Sequence, residues 1–109
     1  MSSPLLLDQK VLSTLAVSCR SIADLIEVLL RVRYEGDAAS LPKLSFSSYS
    51  GNLFQAMMAV SERPAYATIK AVGLSPDNAK RGLPHIGSTV TLFDSSSAAP
   101  KSQRLMPCC

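Results

Sequence analysis

The chain has 109 residues, of which 47% are hydrophobic and 17% charged, and its formal net charge is +3. This length fits one small domain, and the composition is typical of a globular chain and not of a disordered one. The eleven basic and eight acidic residues form no basic stripe with interleaved aromatic side chains. Nucleic acid is therefore not an expected partner.

A membrane span and a signal peptide are not expected either. The first apolar run, residues 4–7, ends at Asp8 and is preceded by no basic stretch, whereas a spanning helix needs about 20 apolar residues. We therefore expect no membrane attachment and a cytoplasmic location. Cys19, Cys108 and Cys109 are odd in number and lack metal-ligand spacing, so they predict neither a disulfide framework nor a metal site.

The first predicted elements are a short strand at residues 5–7 and a brief helix that Asp8 can cap. A longer helix follows, because Ser21 and Asp24 resemble a capping box and aliphatic residues recur behind them at helical spacing. These aliphatic residues are Ile22, Leu25, Ile26, Leu29 and Leu30. Gly36 can adopt the left-handed conformation that closes many helices. The pattern predicts a helix over residues 21–34.

Beyond Pro42 the period of the pattern changes from helix to strand. Leu44 and Phe46 face one way, and the polar residues 48–52 then supply a turn. This order is typical of a β-hairpin. Residues 53–60 are apolar enough for a strand that is covered on both faces.

A partner strand is predicted over residues 65–72. Its alternation places Ile69 and Lys70 on opposite faces, and we expect Lys70 to point away from the core. Residues 73–84 contain prolines, glycines, Asp and Asn, which indicates a loop. Residues 88–93 alternate as a last strand.

The end of the chain changes in character. Residues 101–109 show no usable period, which predicts a flexible tail that is unrelated to a domain over residues 1–100. The elements before it predict an α+β fold with two helices packed on a small, mostly antiparallel sheet.

One motif brings a known family into view. Residues 77–84 read Asp-Asn-Ala-Lys-Arg-Gly-Leu-Pro, and the strand after them ends in Leu-Phe-Asp at residues 92–94. This resembles a signature of the ornithine cyclodeaminase/mu-crystallin family. The order of the other parts resembles the family too, over about residues 5–100. These parts are Leu6-Leu7-Asp8, the helix from Ser21, Pro42-Lys43, Ala56-Met57-Met58 and Ile69-Lys70.

The resemblance implies the substrate-binding and dimerisation part of the family fold, and it implies roles for two lysines. Lys70 matches the family lysine that contacts the substrate carboxylate, and Lys43 stands where the family usually has an arginine with the same task. Arginine can donate two parallel hydrogen bonds to a carboxylate, whereas lysine offers a point charge, so Lys43 predicts looser binding. From the residues alone, both lysines can equally be solvated surface groups.

Other polar residues are weaker candidates for the site. Gln55 lies near a position that is acidic in some family members. His85, the only histidine, can act as an acid or base near neutral pH, but it has no recognisable carboxylate or nucleophile partner. Lys80 and Arg81 can meet a phosphate, although a solvated turn is the simpler interpretation. We therefore predict no catalytic residue in this chain.

Family members use NAD or NADP, yet no cofactor site is expected in this chain. Its five glycines do not form the Gly-x-Gly-x-x-Gly pattern of a Rossmann domain. We expect a truncated family protein that resembles NAD(P)-dependent amino-acid cyclodeaminases or ketimine reductases and is inactive alone. The alternative is a non-catalytic module that pairs with a full-length relative. Expected partners are an amino-acid or imino-acid carboxylate and further copies in a homo-oligomer, and the identity of the substrate stays open.

Overall fold

The computed structural model describes residues 4–108, with side chains up to Arg104. The described residues form one sheet of seven strands, two α-helices and one 3-10 helix. The strands are β1 (Leu5–Leu7), β2 (Ala38–Ser40), β3 (Leu44–Ser47), β4 (Leu53–Glu62), β5 (Ala65–Leu74), β6 (Ile86–Asp94) and β7 (Pro100–Cys108). The helices are α1 (Gln9–Leu12), α2 (Cys19–Tyr34) and the 3-10 helix (Pro76–Arg81).

The strand order is β1-β7-β6-β5-β4-β2, and β3 also pairs with β4. Every pairing is antiparallel except that of β1 with β7, which is parallel. The predicted α+β class, with helices on a mostly antiparallel sheet, is confirmed. Strand β5 lies near the middle of this sheet, so the residues it carries have paired neighbours on both sides.

Both helices begin at side-chain caps. The Asp8 carboxylate accepts a hydrogen bond of 2.9 Å from the backbone N–H of Val11, as predicted for α1. In α2 the cap is Ser18, whose hydroxyl accepts from the N–H of Ser21 at 3.1 Å. The helix therefore starts at Cys19, two residues before the predicted start, because Ser18 supplies the capping oxygen that was assigned to Ser21. Gly36 follows the helix with φ of +88°, as expected.

An ion-pair cluster connects the end of α2 to the β4–β5 turn. The Arg63 guanidinium contacts the carboxylates of Glu35 and Asp37, and Nη2 lies 2.9 Å from Asp37 Oδ2. The hydrogen bond to Glu35, together with the negative charges of both carboxylates, raises the pKa of Arg63. At the same end of the helix, Arg33 Nη1 donates to Ser40 Oγ of β2 at 2.9 Å. These contacts hold α2 against one edge of the sheet.

The predicted hairpin after Pro42 is confirmed as β3–β4. The N–H of Ser48 donates to the carbonyl of Asn52 at 2.8 Å, and Gly51 adopts φ of +86° between them. Strand β2 was not predicted. It has three residues, too few for a visible alternation, and it exists because β4 is long enough to pair with both β2 and β3.

The two faces of the sheet differ in what covers them. We call the face that carries Thr68 and Lys70 the helix face, because α2 lies over it beside Thr68. The opposite face, which carries Ala67 and Ile69, is the open face. The predicted facing of β5 is therefore wrong: Lys70 is half-buried on the helix face, while Ile69 is 37% exposed on the open face. Alternation separates two neighbours but does not say which face a helix covers.

The predicted loop at residues 73–84 contains regular structure. Strand β5 runs on to Leu74, and the 3-10 helix then ends at Gly82, which has φ of +69°. The side-chain amide of Asn78 donates to the carbonyl of Pro84 at 2.9 Å. The prediction of a plain loop is corrected, because an amide-to-backbone bond closes this segment onto itself.

The end of the chain is a strand and not a tail. Residues 100–108 form β7, which pairs with β6 on one side and β1 on the other. The prediction of a flexible segment is therefore wrong over these residues. Their polar sequence shows no alternation, but two flanking strands satisfy the backbone hydrogen bonds whatever the side chains are. Cys109 lies outside the described residues.

Few side chains are fully covered. Among the described residues, the buried ones are Val32, Ser61 and Ser102. Large apolar side chains on the open face are exposed, including Leu44, Phe46, Phe54, Met58 and Val60. No helix within residues 4–108 is long and apolar enough to cross a membrane.

Candidate ligand-binding site

Lys70 sits in the middle of the sheet. It is directly opposite Met57 on β4 and Val90 on β6, and directly paired residues point to the same face. The side chain is half-buried. Within residues 4–104 it has no hydrogen bond or ion pair, so its ammonium is available to an anion.

Lys43 lies in a bulge that adjoins the same part of the sheet. Ser40 pairs with Ala59 and Leu44 pairs with Ala56, so the three residues 41–43 stand against two residues of β4. The N–H of Leu41 donates to the carbonyl of Met58 at 3.1 Å. The extra residue is what defines a β-bulge, where a proline is tolerated.

Lys43 precedes Leu44, whose partner Ala56 neighbours Met57, the residue opposite Lys70. Residues 41–43 lie between β2 and β3 and are not themselves paired in register with β4. Lys43 is exposed, and it too has no ion pair in the described part of the chain. The structure thus places Lys70 in a row of paired residues across the sheet, with Lys43 at the rim beside that row.

Arg104 belongs to the same row. The sequence did not predict it as a site residue. It is opposite Val90 on β6, so it shares the helix face with Lys70. We call Met57, Lys70, Val90 and Arg104 the cationic row. Sequence reasoning placed Arg104 in a tail, and no local signal marks it. Only the pairing of β7 with β6 reveals its position.

The nearest acidic side chain on the helix face of β6 is already engaged. Asp94 lies four residues along from Val90, or about 13 Å. Hydrogen bonds from the Ser96 hydroxyl and N–H, and a weaker one from the Ser97 N–H, lower the pKa of Asp94. Lys101 Nζ lies 3.6 Å away and acts in the same direction. Asp94 therefore does not neutralise the cationic row.

An apolar groove leads to the row. It lies between α2 and the helix face and has a volume of about 450 Å³. Leu25, Ile26 and Leu29 line it from the helix, and Thr68 and Leu92 line it from the sheet. The next residues on this face are Lys70 and Val90, about 7 Å farther along their strands. A ligand with an apolar body and a carboxylate matches this arrangement.

The other candidates do not all reach the row. Gln55 is on the helix face, two residues from Met57, but its amide donates to Ser45 Oγ at 3.2 Å. His85 is exposed and precedes Ile86, which pairs with Leu74 at the far end of β5 from Tyr66. Lys80 and Arg81 are exposed on the 3-10 helix. The structure therefore separates these last three residues from Lys70.

The described residues show neither the glycine turn of a dinucleotide site nor a cluster of metal ligands. The glycines with positive φ, Gly36, Gly51 and Gly82, follow a helix, occupy a hairpin turn and end a 3-10 helix. None of the three precedes a helix amino terminus, where a pyrophosphate would bind. Among the side chains of residues 4–104, no group of three His, Cys, Asp or Glu can hold a metal ion.

The fold is thus an open α+β sheet with one helix-covered face. The sequence model of the Ornithine cyclodeaminase/mu-crystallin family matches residues 3–106. The chain belongs to this family. The match reaches past Pro100 and so includes most of β7. No curated protein matches the chain.

Longer solved structures contain the same fold. The chain is similar to the Δ1-pyrroline-2-carboxylate reductase of Thermococcus litoralis in complex with NADH and L-proline, with a TM-score of 0.82, 24% identity, and coverage of 93% of this chain and 31% of that one. It is similar to the iminosuccinate reductase of Paracoccus denitrificans in complex with NAD+, with a TM-score of 0.82, 20% identity, and coverage of 94% and 32%. An archaeal alanine dehydrogenase dimer with bound NAD gives a TM-score of 0.82, 24% identity, and coverage of 95% and 31%. The chain spans about a third of the length of these structures.

Proposed function

We propose that this chain binds the carboxylate of an amino acid or imino acid at Lys70, on the helix face of the sheet. The observation that carries the proposal is the unpaired side chain of Lys70, a half-buried residue that follows Thr68, a lining residue of the apolar groove, on the same face of β5. A partly desolvated cation without a counter-ion favours an anionic ligand. Lys43, at the rim beside the cationic row, adds a second positive charge on the approach.

We also propose that the 109-residue chain does not transfer hydride by itself. In a nicotinamide enzyme the cofactor carries that chemistry, and the protein supplies position and electrostatics. The described residues supply a carboxylate site but no turn that fits a pyrophosphate. The whole reaction, in this view, requires a dinucleotide-binding unit beside the sheet.

The test is a binding measurement on Lys70 variants. L-proline is a suitable probe, because it joins a carboxylate to a compact apolar ring, and L-prolinamide is its matched control, because an uncharged amide replaces the carboxylate. We expect Lys70→Met to weaken L-proline binding by roughly 10- to 150-fold, since a charge-assisted hydrogen bond contributes about 1.5 to 3 kcal/mol. Isothermal titration calorimetry measures the change.

The control variant is Lys80→Met, which removes an exposed lysine far from the row. Equal affinity of wild type and Lys70→Met would contradict the proposed site. Turnover of an amino acid by the purified chain with added NAD would contradict the proposal that it is inactive alone.

A second candidate function is that of an interaction module, and the open face favours it. Phe46 is 73% exposed and Leu44 is 71% exposed there, and no helix within residues 4–108 covers them. The proposed occupant is the same face of a second copy or of a full-length relative, because an apolar sheet face is complementary to itself under two-fold symmetry. A stable interface buries about 800 Å² on each partner.

Native mass spectrometry of the tagged chain mixed with a full-length relative tests this second function. Mixed dimers are the expected result. Only unmixed species, at concentrations where each partner is folded, would contradict it.

A further inference from the structure

We propose that Arg104 is a second ligand-binding residue, which holds the carboxylate together with Lys70 above Val90. The inference rests on the proposed function at Lys70 and extends it to a different strand. It gives the site a guanidinium that lies on β7, outside the elements that carry the lysines.

The register of the strands supports this placement. Lys70 is opposite Val90, and Val90 is opposite Arg104, so all three side chains point to the helix face. The backbones of Lys70 and Arg104 are two strand spacings apart, about 10 Å. Each of the two is one strand spacing, about 5 Å, from Val90, and long side chains on one face of a sheet reach that far. Val90, half-buried between them, forms the floor of the site.

The charges around Arg104 are unbalanced. The acidic residue nearest to it along the neighbouring strand is Asp8, which follows Leu7, the partner of Arg104. The Asp8 carboxylate instead caps α1 through the N–H of Val11. Neither Arg104 nor Lys70 has an ion pair within residues 4–104. A carboxylate between them would relieve the repulsion of two like charges.

The two cations have different chemistry, which predicts a division of labour. The planar guanidinium can donate two parallel hydrogen bonds to both oxygens of a carboxylate, whereas the ammonium is a point charge. Arg104 would orient the carboxylate, and Lys70 would add to its attraction. With the carboxylate so held, the body of the ligand points toward Thr68 and Leu92 in the groove. The site would then prefer small carboxylic acids with an apolar body.

The experiment compares L-proline with L-prolinamide on four proteins, by titration calorimetry. These are the wild type, Arg104→Met, Lys70→Met and Gln103→Met. Gln103 is the matched control, because it neighbours Arg104 on β7 but pairs with Thr91 and so points to the opposite face. We expect Arg104→Met to weaken L-proline binding about tenfold, Gln103→Met to leave it unchanged, and the amide to bind all four equally weakly.

Two further readouts keep the test decisive if Arg104→Met folds poorly. Arg104→Lys keeps the positive charge but loses the planar guanidinium that can donate two parallel hydrogen bonds. The affinity of this variant for L-proline should fall between those of the wild type and Arg104→Met. In the wild type, the side-chain Nε–H resonance of Arg104 should shift on titration with L-proline and not with L-prolinamide.

The outcomes separate this inference from the function on which it rests. Loss of binding in Lys70→Met, with wild-type affinity in Arg104→Met and a static Arg104 resonance, would overturn the role of Arg104 and leave the Lys70 site intact. Absence of L-proline binding in the wild type, or equal affinity in every variant, would overturn both.

Discussion

The helix face and the open face are built from the same strands and differ in almost every chemical property. On β5, Lys70 and Thr68 belong to the helix face, and Ile69 and Ala67 belong to the open face. The helix face has a groove, cations and hydroxyl groups. The open face between residues 65 and 73 has no ionisable side chain. A strand period of two therefore lets one sheet present a groove with cations on one side and an exposed apolar surface on the other.

The largest expected effect comes from adding a charge to the open face. Ile69→Lys should weaken pairing about a hundredfold, because two-fold symmetry brings two uncompensated ammonium groups into one apolar interface. L-proline binding should be unchanged, since the helix face is untouched. Sedimentation velocity across a concentration series measures the first effect.

Tyr34→Lys is the matched control for that variant. Tyr34 is 94% exposed at the end of α2, so the same charge is added away from the open face. Lys70→Met should show the reverse behaviour, with weaker ligand binding and unchanged pairing. If Ile69→Lys also abolished ligand binding while remaining folded, the two faces would not be independent.

A smaller effect is expected from loosening the helix that distinguishes the faces. Ser18→Ala removes the hydroxyl that caps α2 and should lower the free energy of unfolding by about 1 kcal/mol. Urea denaturation followed by circular dichroism measures the change. Ser47→Ala, at the exposed end of β3, is the control, because the Ser47 hydroxyl makes no hydrogen bond within residues 4–104. A Ser18→Ala stability equal to that of the control would show that the cap does not hold α2 in place.

The smallest effect concerns acid stability on the helix face. The pKa of Asp94 is lowered from its ordinary value of 3.8, first by the Ser96 hydroxyl. Its unfolded form therefore binds protons more readily than its folded form. The stability that Asp94 contributes is present above about pH 4 and is lost as the pH falls through the lower folded value.

Asp94→Asn removes this titrating group. Urea unfolding at pH 5 and pH 3 should show a smaller loss of stability in Asp94→Asn than in the wild type. Identical losses would contradict the role of the Ser96 and Ser97 hydrogen bonds at Asp94.

Prediction from the sequence succeeded for features that are set by residues close to one another in the chain. The Asp8 cap, Gly36 after α2 and the turn at residues 48–52 all depend on residues within one or two turns of chain. The motif at residues 77–84 led to the family, which the match over residues 3–106 confirms. The roles of Lys70 and Lys43 stay predictions, although Lys43 lies beside the row that contains Lys70.

The predictions that failed concern features that depend on contacts between distant parts of the chain. Strands β2 and β7 have no clear alternation of their own, and each exists because a longer strand offers its backbone for pairing. Arg104 was therefore assigned to a tail. The prediction that Lys70 points away from the core was wrong for a related reason. The position of α2 decides which face of the sheet is covered, and that position cannot be read from the strand alone.

The amino-acid sequence by itself determined the caps, the turns, the alternation along each strand and the family. Tertiary structure alone decided which face α2 covers and which residues stand opposite one another. The physical reason is that caps and turns are local hydrogen bonds, whereas a row such as Lys70, Val90 and Arg104 is assembled from three strands through backbone pairing. That pairing joins backbone groups of residues that are far apart in the sequence, and it places Arg104 on the same face as Lys70.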